Sequence, residues 1–124
     1  MTRVLALISV VLYFCSCDHM PRPLDIGLEH QVYLALLSES DSEKVTQELM
    51  KLEKVEGVEA IEVWTPLDVG DERAMDYDLL LRVYFKDEAA LKAYDTDSLH
   101  QAVRARLKAY LRKPPATFDL RFPD

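Results

Sequence analysis

Tyr77-Asp78-Leu79-Leu80-Leu81-Arg82-Val83-Tyr84-Phe85, then Tyr94, then His100-Gln101-Ala102-Val103, is the stretch on which the reading of this chain turns. The run Leu79, Leu80, Leu81 inside a strand from Asp76 to Phe85 predicts a buried, central strand, because strands covered on both faces lose their apolar–polar alternation. The strand leads into a helical pattern with a phenol and an imidazole six residues apart. Both side chains can handle protons near neutral pH. Asp87 predicts the cap of a short helix through Tyr94, and Asp97 the cap of another through about Leu111. On that last helix Leu99, Val103, Leu107 and Tyr110 share a face.

Working back toward the N-terminus, Pro66 to Met75 reads as an acidic turn segment. Val58 to Trp64 reads as a strand with Ile61 and Val63 opposite Ala60, Glu62 and Trp64, and Trp64 as a packing residue. Ser40-Asp41-Ser42-Glu43 has the form of a helix start, a hydroxyl with Glu three residues on. Val45, Leu49, Leu52 and Val55 make an apolar stripe at helical spacing, and Gly57 is a natural stop. His30 to Leu37 alternates with period two, His30, Val32, Leu34 and Leu36 against Gln31, Tyr33, Ala35 and Leu37. Both faces read as largely apolar, so this strand is expected to be covered on both sides. Beyond the last helix Pro114 and Pro115 break the chain, and Ala116 to Phe122 closes it as a strand with Phe118, Leu120 and Phe122 alternating.

The order strand, helix, strand, strand, helix pair, strand is that of an α+β, ferredoxin-like split βαβ domain: a four-stranded antiparallel sheet with helices on one face. One copy covers one face only. A second apolar face predicts a homodimer whose sheets close on one another.

The chain has 124 residues, room for one domain. Its 15 basic and 22 acidic residues leave a net charge of −7, which argues against a nucleic-acid partner. The basic cluster Arg104, Arg106, Lys108, Arg112 and Lys113 reads as a solvated face favoured near a helix C-terminus. Three scattered glycines offer no phosphate-cradling loop, and no serine sits in a nucleophile elbow. No metal site follows from the wide spacing of the histidines, and no cofactor is indicated.

Residues 1–16 form a basic start followed by an apolar stretch, Val4 to Phe14, too short to span a membrane but suited to an export signal. Phe14-Cys15-Ser16-Cys17 resembles a bacterial lipoprotein signal, which implies lipid attachment at Cys17 and a spacer over residues 17–29. The domain proper is then expected over 30–122, tethered at a membrane of the cell envelope and facing the periplasm or the exterior.

Several pieces in order also resemble one known family, the stress-responsive dimeric α/β-barrel (Dabb) domain. They are His30-x-Val32, Val55-Glu56-Gly57-Val58, Tyr77-Asp78-Leu79 with Phe85, Leu91-x-x-Tyr94, His100-Gln101-Ala102-Val103, and Phe118-Asp119. The resemblance implies a ferredoxin-like homodimer, in a family where most members have no assigned activity. It is also similar to a plant polyketide cyclase whose functional residues match His30, Tyr94 and His100. In that chemistry an imidazole removes a proton alpha to a carbonyl, and the phenol holds the developing oxyanion. Where many relatives have His-Pro ahead of the second His, Asp97-Ser98 stands here, which places an acid on the rim of the expected pocket. Two functions follow as expectations. The first is a lipid-anchored homodimer that binds a small apolar or carbonyl ligand or serves as a stress-related module of the cell envelope, without an assigned reaction. The second is a cyclase-, lyase- or isomerase-like enzyme acting through His30, Tyr94 and His100. Convergence of the three polar tips on one cavity is what the second requires.

Overall fold

The computed structural model describes residues 25–123. The expected signal, the Cys17 expected to carry lipid and most of the expected spacer lie outside the described residues. Four strands, β1 (Leu28–Leu34), β2 (Val58–Trp64), β3 (Leu79–Phe85) and β4 (Ala116–Arg121), form one antiparallel sheet in the order β2-β3-β1-β4. Three helices, α1 (Ser42–Met50), α2 (Glu88–Thr96) and α3 (Ser98–Leu107), complete the ferredoxin-like arrangement. β3 holds the central position that its leucine run predicts. Leu79, Leu81, Val83 and Phe85 are buried beneath the helices, whereas Leu80 is only half-buried on the other face.

The expected apolar stripe outlasts α1: Val45 and Leu49 lie on the helix, Leu52 on the 3-10 turn that follows (Lys51–Lys54) and Val55 in extended backbone beyond it, yet all four join the core with Leu34, Tyr94, Val103 and Leu107. Gly57 follows at φ 89°, a backbone region open to glycine and costly for other residues. Gly27 is needed for a different reason, since any Cβ there would stand 2.2 Å from the Lys86 carbonyl oxygen.

The boundaries shift where side chains intervene. β1 begins at Leu28 and ends at Leu34, because the Asp78 carboxylate accepts the Leu36 amide at 2.6 Å and the Arg112 amide bonds Ala35 O at 3.0 Å. The expected capping box at Ser40 does not form. Ser38 caps a short 3-10 turn, Glu39–Asp41, its hydroxyl accepting from Ser40 N, and the Ser40 hydroxyl is spent on Ser38 Oγ. Asp87 and Asp97 do cap α2 and α3.

The expectation of a greasy second sheet face is overturned. The centre of the open face is an ion-paired network. Glu29, with only 3% of its side chain exposed, receives Arg82 Nε at 2.5 Å and Nη2 at 3.1 Å, and Gln31 Nε2 at 2.9 Å. Tyr33 donates to Gln31, while Arg82, Tyr84 and Trp64 all donate to Glu62. Apolar surface remains around it: Trp64, Phe118 and Leu120 are exposed on this face. Trp64 is therefore a surface residue rather than a packing one. The fold tolerates a charged centre because every group in it has a partner.

Candidate functional site

On the helix-covered face, period two along β1 sends Leu28, His30, Val32 and Leu34 inward, paired with Phe85, Val83, Leu81 and Leu79 of β3. On its other side β1 pairs with β4, and the register sets His30 opposite Asp119 and Val32 opposite Thr117. α2 delivers Tyr94 to the same place, and the Asp97 cap starts α3 so that His100 falls in its first turn. A cavity of about 340 Å³ lies between β1, β4 and α3, and His30, Tyr94 and His100 all line it. This is near the lower limit of small-molecule sites.

The three rings are held tightly. Tyr94 is 1% exposed, stacked on His100 with centroids 3.9 Å apart and met edge-on by His30 at 6.1 Å and Phe85 at 5.1 Å. His30 Nδ1 lies 2.5 Å from Asp119 Oδ1. His100 Nδ1 lies 2.8 Å from the Tyr94 carbonyl oxygen. A carbonyl only accepts, so His100 Nδ1 carries the proton and Nε2 keeps its lone pair; a carboxylate imposes the same tautomer on His30. Both imidazoles therefore leave Nε2 as the basic nitrogen. The Tyr94 hydroxyl makes no hydrogen bond among the described residues. Since no fully buried side-chain nitrogen or oxygen there lacks a partner, the hydroxyl is not sealed off, and Tyr94 lines the cavity.

Burial sets the electrostatics. It pushes the Tyr94 phenol far above its ordinary range, so the hydroxyl stays a donor throughout the physiological range. It pushes His100 below the usual imidazole value, against the opposing hydrogen bond to the Tyr94 carbonyl, and the Arg104 charge adds to the lowering. His100 is thus neutral at pH 7. Two neutral-capable bases and a persistent O–H donor around one small cavity can bind a carbonyl or hydroxyl oxygen and can exchange a proton beside it.

All three residues singled out from sequence meet at this site. Asp97 does not: its carboxylate accepts Leu99 N at 2.8 Å and His100 N at 3.2 Å, and it is the cap of α3 rather than an acid on the rim. The acids at the cavity are Asp95 and Asp119. Asp119 was legible in principle, since Phe118, Leu120 and Phe122 on one face of β4 leave Thr117, Asp119 and Arg121 on the other. Among the described residues no cluster of His, Cys, Asp and Glu is arranged to hold a metal ion.

Comparison with known proteins agrees with this architecture. Similar solved structures include a Dabb family protein with a ferredoxin-like fold from Mesorhizobium loti, 22% identical with TM-score 0.66 over 78% of this chain and 97% of its own. A dimeric ferredoxin-like protein of unknown function from Thermobifida fusca is 16% identical, with TM-score 0.64 over 80% of this chain and 93% of its own. The hydroxynitrile lyase from Passiflora edulis is 11% identical, with TM-score 0.68 over 81% and 96%. At such identities the likeness speaks to the fold alone. No curated protein sequence matches the chain. The model of the stress responsive A/B barrel domain matches residues 28–117, from the first residue of β1 into β4, and the chain belongs to that family.

Proposed function

We propose that this chain is a small-molecule-binding domain whose ligand, a compact and largely apolar compound bearing a carbonyl or hydroxyl oxygen, sits between β1, β4 and α3. The observation that carries this reading is the meeting of His30, Tyr94 and His100 around one cavity whose remaining walls are mainly Val, Leu and Pro. Thermal-shift measurements with a panel of six- to ten-carbon methyl ketones, aldehydes and their alcohols test it. A compound held at a hundred times its dissociation constant stabilises the fold by about 2.7 kcal/mol. The gain should vanish in His100→Ala. A panel that leaves the melting temperature unmoved contradicts the reading.

A second reading, an enzyme performing acid–base chemistry on a carbonyl compound, is favoured by the His30–Asp119 pair. A carboxylate behind an imidazole fixes the tautomer that leaves Nε2 with its lone pair, as a general base requires. Exchange of the α-protons of 2-octanone in D2O, followed by NMR, distinguishes the two. Catalysed exchange that falls about a hundredfold or more in His30→Asn supports an enzyme. Exchange at the uncatalysed rate leaves a binding protein.

Two further features belong to this proposal. The open sheet face, with exposed Trp64, Phe118 and Leu120 around a satisfied polar centre, is covered by a second copy of the chain; the dimeric description of the Thermobifida relative supports this. Sedimentation equilibrium tests it, and a monomer at micromolar concentration refutes it. The Phe14-Cys15-Ser16-Cys17 pattern supports lipid attachment at Cys17 and a location at a membrane of the cell envelope. Mass spectrometry of the N-terminal peptide decides it, an unmodified Met1 being the contrary result.

A further inference from the structure

The basic cluster, which begins on α3 and runs past its end to Lys113, divides once it is placed in the fold. Arg106 is drawn to Glu48, its Nε 2.8 Å from Oε2, and Arg112 and Lys113 are drawn to Asp76. The side chains of Arg104 and Lys108 have no ion pair or hydrogen bond among the described residues, yet both residues are exposed and both line the cavity. They follow His100 at i+4 and i+8 on one stripe of the helix, which puts them about 6 Å and 12 Å from it along the axis. The acids of the cavity are Asp119, which faces His30 in the strand register, and Asp95, which follows Tyr94; the charges of Asp95 and Arg104 both act on His100. The cavity wall thus carries carboxylates beside the acid–base groups and two cations, of which Lys108 lies further along the chain from His100. What sets these two apart from the chain's other solvated cations is their place on the wall of an apolar cavity, where a ligand anion would meet both charges.

We propose that the ligand carries an anionic head group, a carboxylate or phosphate, held by Arg104 and Lys108 at the mouth, with its apolar body inside and its uncharged oxygen toward His30 and His100. This rests on the small-molecule reading above and narrows it to amphipathic anions. The spacing sets the length: roughly 6–12 Å between head group and acid–base end corresponds to a chain of about five to ten carbons. Arg104 supplies two N–H groups in one plane for the head group, and Lys108 a second charge that neither Asp95 nor Asp119 reaches as an ion pair.

Isothermal titration calorimetry with octanoate, octyl phosphate and octanol, on the parent protein and on Arg104→Gln/Lys108→Gln, tests the assignment. The expected result is that at least one anion binds the parent about tenfold or more tighter than octanol. The double substitution should remove that preference while leaving octanol binding intact. The stronger anion identifies the head group. Equal binding of octanol and both anions by the parent overturns the anionic assignment but leaves the small-molecule pocket standing. So does undiminished anion preference in the double variant. Failure of all three probes to bind at millimolar concentration removes the pocket itself, and this inference with it.

Discussion

The two faces of the sheet use polar side chains in opposite ways. On the helix-covered face His30 and His100 are anchored through Nδ1 and leave Nε2 free toward a cavity. On the open face Glu29, Gln31, Arg82, Glu62 and Tyr84 spend their groups on one another. β1 contributes to both through alternate residues, so a single strand supplies the candidate site and a closed network. A polar group with an unspent atom beside open space can act on a ligand; one whose partners are all in place can only hold structure or meet a matching surface.

The largest effect expected from breaking this contrast is at Arg82. Arg82→Ala strips the buried Glu29 carboxylate of its bidentate partner and should cost about 3 kcal/mol or more in urea unfolding. Replacing the pair together, Glu29→Leu with Arg82→Met, should cost far less, because no buried charge is then left alone. A single substitution costing under about 0.5 kcal/mol would show that the network is surface decoration.

Next in size is the pH dependence, for which the two faces have separate windows. The folded state resists protonating His100, so the unfolded chain binds that proton first, near pH 6.5. Stability is then independent of this group above about pH 6.5 and falls as pH drops below it, by at most about 1.4 kcal/mol per pH unit. Glu29 behaves as a lowered carboxyl, held down first by its hydrogen bond to Arg82. Its contribution is complete above the ordinary carboxyl value of 4.5 and is lost only as pH falls toward its lowered folded value. His100→Gln should flatten the upper window and leave the lower one. Unchanged slopes between pH 5 and 6.5 would contradict the buried, neutral imidazole.

A smaller effect is expected at the cap that positions His100. Asp97→Ala should cost about 1 kcal/mol, within the usual range for losing an N-cap side chain, read by the shift in the urea midpoint. Smallest in stability is Asp119→Ala, expected within about 0.5 kcal/mol because the carboxylate is more than half exposed. Its signature lies in the His30 ring, whose 15N shifts should lose the preference for the proton on Nδ1. A ring that keeps the same tautomer without Asp119 would remove the reason for counting that residue in the site.

Much of this was legible in the chain itself. The split βαβ order, the central place of β3, the caps Asp87 and Asp97, and the joint approach of His30, Tyr94 and His100 follow from periodicity, cap chemistry and family resemblance. What escaped was pairing across distance. A run such as Glu29-His30-Gln31-Val32-Tyr33 does not reveal that Glu29 meets Arg82 fifty-three residues on, so its face read as apolar from Tyr33, Ala35 and Leu37. The role of Asp119 depends on the register that sets it opposite His30, which no local spacing encodes. Asp97, by contrast, was placed correctly as a cap and wrongly on the rim: its Oδ1 takes the Leu99 and His100 amides, and the residue does not line the cavity.

The most direct test of the difference between the faces is a chemical-shift map of the 15N-labelled protein as octanoate or 2-octanone is added. Perturbation should fall on His30, Tyr94, His100, Arg104, Thr117 and Asp119. Gln31, Arg82 and Phe118, across the same strands, should stay in place. Shifts concentrated on Gln31, Arg82 and Phe118 with a silent helix-covered face would contradict the account.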